Sequence, residues 1–135
     1  MRFVFSTRSK VPWIHKEDGT RYYDQDYKFT PGKDEIIRGD KDSVGWIVTF
    51  GELVYRSLDA VERLRHEGIN VGLINKSSIN MIDEDVMKMI GSSKAVLVVE
   101  SWNQKTGLVR DFDQKVSSSL MLCPIAGKQD RYLAT

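Results

Sequence analysis

The residues best suited to chemistry in this sequence stand directly after three apolar runs. They are Gly51, Glu52, Asn75, Lys76, Ser77, Glu100, Trp102 and Asn103. In open α/β sheets, ligands bind beyond the carboxyl ends of the strands, so we expect these residues to share one edge. Their ammonium, amide and hydroxyl groups could receive a small anionic ligand, and backbone N–H groups after Gly51 could assist. The same edge could equally meet a partner chain.

Three interpretations of this edge remain open: a subunit interface, a small-molecule site, or a solvated edge. Glu52 and Glu100 could act as an acid–base pair only if their environments pushed their pKa values apart. The sequence does not establish such environments. We therefore assign no catalytic, cofactor-binding or metal-binding residue, and we treat the edge as a candidate ligand or interface surface.

Other reactive side chains favour structural roles. Cys123 is the single cysteine and has no basic neighbour, which favours a buried thiol over a nucleophile. His66 falls on the polar side near a predicted helix end, and His15 lies in an irregular segment where a surface or interface position is expected. Asp111 and Asp113 are expected to be solvated. The sequence has no phosphate-binding glycine loop, no His-Glu-x-x-His and no nucleophile elbow.

Composition limits the class of protein. The chain has 135 residues, 41% of them apolar, which suits one globular domain with a core. A net charge of +1 gives no strong field for nucleic acid or an anionic membrane. The apolar runs are too short to span a bilayer, and no signal peptide is recognised. With one cysteine, the pattern suits a reducing cytoplasm.

The elements that must position the candidate edge alternate between apolar strands and amphipathic helices. Strands are predicted at 35–38, 44–50, 69–75 and 95–99, and helices at 53–67 and 84–90. Gly68 is a natural stop for the first helix, and Asp83 is a candidate cap for the second. A helix at 109–116 and a strand at 120–123 could complete the pattern. This alternation predicts a mostly parallel sheet covered on both faces, an α/β/α sandwich.

Several motifs, in the order given below, resemble the C-terminal domain of transketolases. The same domain is the C-terminal domain of 2-oxoacid dehydrogenase beta subunits and deoxyxylulose-phosphate synthases. The motifs are Pro31–Lys33, Gly45–Tyr55, Leu58–Val61, Glu67–Val71 and Val96–Glu100. The resemblance covers about residues 31–107. It implies a five-stranded sheet in the order 1-3-2-4-5, with the first strand antiparallel to the others.

The resemblance also implies a domain organisation. Residues 1–14, with the run from Arg2 to Arg8, look like the last strand of a preceding pyrimidine-binding domain. Residues 15–32 would be a linker arm, whose tyrosines suggest that it lies against another surface. Residues 33–135 would form the transketolase C-terminal-like domain, in which 109–135 do not align clearly.

The function implied by the resemblance is that of a C-terminal, non-cofactor-binding domain or subunit of a transketolase-like thiamine-diphosphate enzyme. This unit would act in subunit packing, and a role in regulation remains open. Such an enzyme moves two-carbon units between sugar phosphates. Thiamine diphosphate and Mg²⁺ are implied for the full enzyme, held by partner chains with diphosphate- and pyrimidine-binding domains. A homo-oligomer remains open. The alternatives are the C-terminal part of a 2-oxoacid dehydrogenase beta subunit and a free-standing module that binds a small ligand. An assembly domain should expose apolar surface when isolated, whereas a binding module should present a concave polar site.

Overall fold

The computed structural model describes residues 10–100 and the strand at 120–122, and it shows a sheet with helices packed on it. The elements are β1 (Glu35–Arg38), β2 (Gly45–Thr49), α1 (Leu53–His66), β3 (Val71–Asn75), α2 (Glu84–Gly91), β4 (Ala95–Val99) and β5 (Leu120–Leu122). The predicted N-terminal strand, the predicted helix at 109–116 and Cys123, Asp111 and Asp113 lie outside the described residues.

The sheet has five strands in the order β1-β3-β2-β4-β5. β1 runs antiparallel to β3, while the β2/β3, β2/β4 and β4/β5 pairs are parallel. The predicted strand order and the antiparallel first strand are both confirmed. The carboxyl ends of β2, β3 and β4 therefore lie at one edge, because adjacent parallel strands run in the same direction.

Two apolar clusters cover opposite faces of the sheet, because successive side chains of a strand point to opposite sides. On one face, Val54 and Val61 of α1 pack with Ile37, Ile47 and Leu73. On the other face, the side chains from α2 and the central strands form a second cluster. Its buried members are Trp46, Val48, Ile74, Val86, Ile90, Val96 and Val98. The predicted α/β/α layering is thus confirmed.

The element boundaries follow local signals. The predicted bounds of β1 and β4 agree with the structure, whereas β2 and β3 are each two residues shorter than their apolar runs. Gly68 adopts a φ of +82° just beyond α1, a conformation that glycine takes without steric cost. Asp83 precedes α2 as predicted, but its side chain makes no capping bond to the helix.

The segment before β1 is packed onto the domain. Ile14 belongs to the α1-side core, and Tyr22 and Tyr23 pack against the same cluster. A short turn holds this segment together: the Tyr22 N–H donates to the Ile14 carbonyl at 2.8 Å. The Arg65 guanidinium lies 2.7 Å from Glu17 and ties the turn to α1. Residues 14–23 therefore contribute to the core of the domain.

Replacing Ile14 by alanine is expected to lower the free energy of unfolding by about 2 kcal/mol. This value lies at the lower end of the range for buried Ile→Ala changes, since the segment can partly relax into the cavity. Ile14 is 4% exposed. The matched control is Val11→Ala, because Val11 is 45% exposed and its truncation should change stability by less than about 0.5 kcal/mol. Urea unfolding followed by circular dichroism measures both, and equal effects would contradict the packing role.

Within the part of the chain that the structure describes, no helix is both long and apolar enough to cross a membrane.

Candidate functional site

The carboxyl end of β3 carries a buried ion pair. The Lys76 ammonium lies 3.0 Å and 3.1 Å from the two carboxylate oxygens of Asp34, and it donates a third hydrogen bond to the Met81 carbonyl at 2.7 Å. The Lys76 side chain is 3% exposed and that of Asp34 is 1% exposed. Lys76, which the sequence placed at the candidate edge, is therefore engaged by a partner from its own chain.

Two carboxyl groups at this end have shifted pKa values in opposite directions. Burial raises the pKa of Asp34, and the Lys76 ammonium opposes that rise without cancelling it. Burial would also raise the pKa of Asp83, but the Asp34 N–H and the Lys33 ammonium outweigh it and hold this pKa below its usual range. As the pH falls, Asp34 therefore takes up a proton before Asp83 does, and the Lys76 ammonium favours the charged form of Asp34.

Asn75, the residue before Lys76, joins a second group of polar side chains. Its side-chain amide donates to Glu35 at 2.6 Å and to the Tyr23 hydroxyl at 2.9 Å. The hydroxyls of Tyr23 and Tyr27 both donate to the Glu35 carboxylate. The rings of Tyr23 and Tyr27 meet edge to face, with centroids 4.8 Å apart. Glu35 therefore anchors the arm tyrosines to the end of β3.

This arrangement raises the pKa values of Tyr23 and Tyr27. Burial is the main cause in each case, and the Glu35 carboxylate, which accepts their protons in hydrogen bonds, adds to it. Because the phenols titrate higher in the folded chain than in the unfolded one, their contribution to stability is complete below about pH 10 and is lost above it. We expect Glu35→Gln to lower the alkaline titration midpoint seen at 295 nm. An unchanged midpoint would contradict the role of Glu35.

The loop after Lys76 is bonded to the segment that leads into β1, which comprises residues 32–34. The Ser77 hydroxyl donates to the Lys33 carbonyl at 3.2 Å, and the Gly32 N–H donates to the Ser78 hydroxyl at 2.9 Å. The Asp34 N–H donates to Asp83 at 3.1 Å. Asp83 thus bonds the lead-in, whereas the expected side-chain cap of α2 is not formed.

The remaining candidate residues follow β2 and β4. Gly51 and Glu52 are exposed at the start of α1, and the Glu52 side chain makes no helix-capping bond. Glu100 is 3% exposed, so its carboxylate does not extend into solvent. Trp102 and Asn103 lie outside the described residues. The structure therefore brings Lys76 and Ser77 together with the lead-in and Asn75 together with Glu35, and it leaves Glu52 exposed at the start of α1.

A groove of about 490 Å³ lies at the opposite edge, beside the carboxyl end of the antiparallel strand β1. Arg38, Arg65 and Lys16 contribute its cations. The Arg38 guanidinium lies 2.6 Å from Glu62, and that of Arg65 lies 2.7 Å from Glu17. These pairings neutralise the two guanidinium groups within the chain, so the groove has no strong preference for an anion.

Apolar side chains are exposed in the loop between β3 and α2. Ile79, Met81 and Ile82 are 43%, 44% and 37% exposed. The Met81 side chain lies against the backbone of Gly32, and Phe29, three residues earlier, is also exposed. An exposed cluster of this kind is typical of a surface that meets another protein.

Sequence reasoning missed the partners that satisfy the β3 end: Asp34, Glu35, Tyr23, Tyr27 and Asp83. The charged run Lys33-Asp34-Glu35 before an apolar strand was the available signal, since charges at a strand entrance often pair with a neighbouring strand end. The spacing of 42 residues between Asp34 and Lys76 gives no local pattern, so the pair could not be read from the sequence.

The chain is similar to known proteins over most of its length. The family model "Transketolase, C-terminal domain" matches residues 32–125. One of the subunits of an apulose-4-phosphate transketolase, from Actinobacillus succinogenes, is 34% identical over 101 residues, covering 73% of this chain and 29% of that protein. The 1-deoxy-D-xylulose-5-phosphate synthase of Bacillus velezensis is 40% identical over 68 residues, covering 50% of this chain and 10% of the synthase.

Among solved structures, a split-gene transketolase described as an inactive beta4 tetramer superposes with a TM-score of 0.69. The match covers 89% of this chain and 38% of that one, at 21% identity, and it supports the fold. The chain spans less than a third of the length of the two curated relatives described above.

Proposed function

Since this chain belongs to the transketolase C-terminal domain family, we propose that it serves as the C-terminal, non-cofactor-binding unit of a transketolase-like enzyme. The complete enzyme would use thiamine diphosphate to move two-carbon units between sugar phosphates. In this proposal, residues 1–14 end a preceding pyrimidine-binding domain, residues 15–32 connect it, and residues 33–135 form the C-terminal domain. The unit supports subunit packing in the cytoplasm.

The observation that supports an assembly role is the exposure of three apolar side chains in the loop between β3 and α2, those of Ile79, Met81 and Ile82. Each side chain is more than a third exposed, although the loop is bonded to the lead-in on its other side. Exposed apolar area is costly in water and is recovered when another chain covers it. The polar side chains at the end of β3, by contrast, are bonded within the chain, Lys76 to Asp34 and Asn75 to Glu35.

The carboxylates at the end of β3 are already engaged and do not offer a ligand set for the cofactor. Mg²⁺ on a diphosphate is held by one or two protein carboxylates together with phosphate oxygens. Within residues 10–100, no group of three or more His, Cys, Asp or Glu side chains is placed to hold a metal ion. The carboxylates of Asp34, Glu35 and Asp83 are already bonded to Lys76, Asn75 and Lys33. In this proposal the cofactor is held by chains that carry the diphosphate- and pyrimidine-binding domains.

We expect the purified chain, supplied with thiamine diphosphate and Mg²⁺, to show no ketol transfer above background. The test is a tagged pull-down from the source organism, with bound chains identified by mass spectrometry, followed by transketolase assays on the complex. A partner with diphosphate- and pyrimidine-binding domains and activity in the complex are the expected results. Turnover by the chain without a partner would contradict the proposal.

A pair of matched variants tests the apolar loop. We expect the triple replacement of Ile79, Met81 and Ile82 by serine to weaken recovery of the partner chain. The control replaces Val44 and Ile69, which are similarly exposed near the amino ends of β2 and β3, by serine. Equal recovery by both variants would argue against this loop as the interface. A monomer that binds no such chain would favour the free-standing binding module, and a partner with 2-oxoacid dehydrogenase activity would favour the beta-subunit alternative.

A further inference from the structure

The carboxyl ends of β2 and β3 form the point where an open sheet of this kind would receive a ligand. The two strands are adjacent and parallel, yet the chain leaves them toward opposite faces. The helix after β2 packs on the Ile47 and Leu73 face, and the helix after β3 packs on the Val48 and Ile74 face. Ligands of open α/β sheets bind in the crevice that such diverging loops create.

At the end of β3, the chain has buried the Lys76 ammonium among acceptors. Lys76 is bonded to both oxygens of the Asp34 carboxylate and to the Met81 carbonyl, at 2.7–3.1 Å. A buried ammonium is tolerated only when an anion balances it and acceptors take its protons. The groups around Lys76 are therefore those of a binding site for one carboxylate, with Asp34 in the position of the ligand.

Asp34 is not supplied by the parallel strands β2 and β3. It belongs to the lead-in, residues 32–34, which precedes β1. The lead-in is held to the β3–α2 loop by bonds between Gly32 and Ser78 and between Asp34 and Asp83. These contacts resemble those of a peptide bound at the end of a strand, except that the peptide is covalently part of the chain.

We propose that the lead-in acts as an internal ligand, and that Lys76 and the β3–α2 loop form a carboxylate-binding site that Asp34 occupies. A free carboxylate meets strong competition there, because a tethered group has a high effective concentration. The site is thus closed in the native chain and becomes available to a small carboxylate, such as formate or acetate, when the Asp34 side chain is removed. These contacts lie within one chain, so the site is independent of the enzyme to which the chain belongs.

The test uses Asp34→Ala in the full 135-residue chain. Thermal unfolding is followed by circular dichroism in sodium formate or acetate and in sodium chloride of equal ionic strength. We expect the variant to melt below the wild type in chloride and to gain thermal stability in a saturable way with formate, since a ligand that binds the folded state stabilises it. The wild type and Asp85→Ala should show no such gain, since Asp85 contacts Lys33 at an exposed position.

The double variant Asp34→Ala/Lys76→Met provides the decisive comparison. It removes both charges, so we expect it to fold and to show no gain with formate over chloride. If Asp34→Ala is unfolded in chloride, formate should restore its folded signal. The proposal is overturned if formate has no more effect on Asp34→Ala than on the wild type or the double variant. It is overturned equally if neither variant folds in any of these salts, because Asp34 would then do more than balance Lys76.

Discussion

Replacing Lys76 by methionine is expected to lower the free energy of unfolding by about 3–5 kcal/mol at pH 7, because the change leaves a buried carboxylate without its partner. Methionine fills much of the lysine volume, so the loss reports charge more than packing. The Asp34 side chain is 1% exposed, so water cannot replace the lost ammonium without a rearrangement of the side chain. Urea unfolding at 25 °C measures the effect.

The pH dependence of this variant has a defined sign. Without the ammonium, burial would raise the pKa of Asp34 further above its unfolded value, so the folded variant would bind a proton more readily than the unfolded chain. The stability lost at pH 7 should therefore be partly recovered as the pH falls toward that raised pKa. A deficit that is independent of pH would mean that lost packing, and not the buried charge, causes it.

Lys33→Met is the matched control. Lys33 also pairs with two carboxylates, Asp83 at 3.2 Å and Asp85 at 3.0 Å, but its side chain is 57% exposed. Water solvates the Lys33 ammonium and the exposed Asp85, and the buried Asp83 keeps the Asp34 N–H as a donor when Lys33 is removed. We therefore expect a smaller loss of stability from Lys33→Met than from Lys76→Met. If Lys76→Met and Lys33→Met lowered the free energy of unfolding equally, burial would not be what makes the Lys76 pair important.

The second large effect is expected at Gly72 in β3, where alanine should cost at least about 3 kcal/mol, the upper end for overpacking of a core. A Cβ atom at this position would lie 2.3 Å from two carbons of the Trp46 ring. Trp46 is 2% exposed, and its ring also lies close to Gly39, so it has little room to move. Glycine is needed here for the close approach of an indole to the backbone.

Gly91 provides the same substitution in a different environment. It is the last residue of α2, and a Cβ atom there would meet no heavy atom within 4 Å. Alanine has the higher helix propensity, so Gly91→Ala should be neutral or stabilising by up to about 1 kcal/mol. Thermal and urea unfolding of both variants give the comparison, and a Gly72→Ala protein as stable as the wild type would refute the packing argument.

Much of the fold could be predicted because its signals are local. Apolar β-branched runs indicate strands, as at Ala95–Val99, and apolar residues at helical spacing indicate α1. Glycine at position 68 ends α1 because few other residues adopt its backbone conformation. The strand order and the antiparallel β1 came from the resemblance to a family, since local patterns do not determine which strands pair.

The candidate site also contains residues that a local pattern places and residues that only strand pairing brings together. Asn75, Lys76 and Ser77 could be placed at the carboxyl end of a strand from the sequence, because that follows from where an apolar run stops. Their contacts with Asp34 and Glu35 became visible in the fold, since antiparallel pairing of β1 with β3 sets Glu35 opposite Asn75. Contacts between side chains 40 or more residues apart depend on this register, which no local pattern encodes. Because of this pairing, the polar residues Asn75 and Lys76 at the end of β3 bond to Glu35 and Asp34 of the same chain.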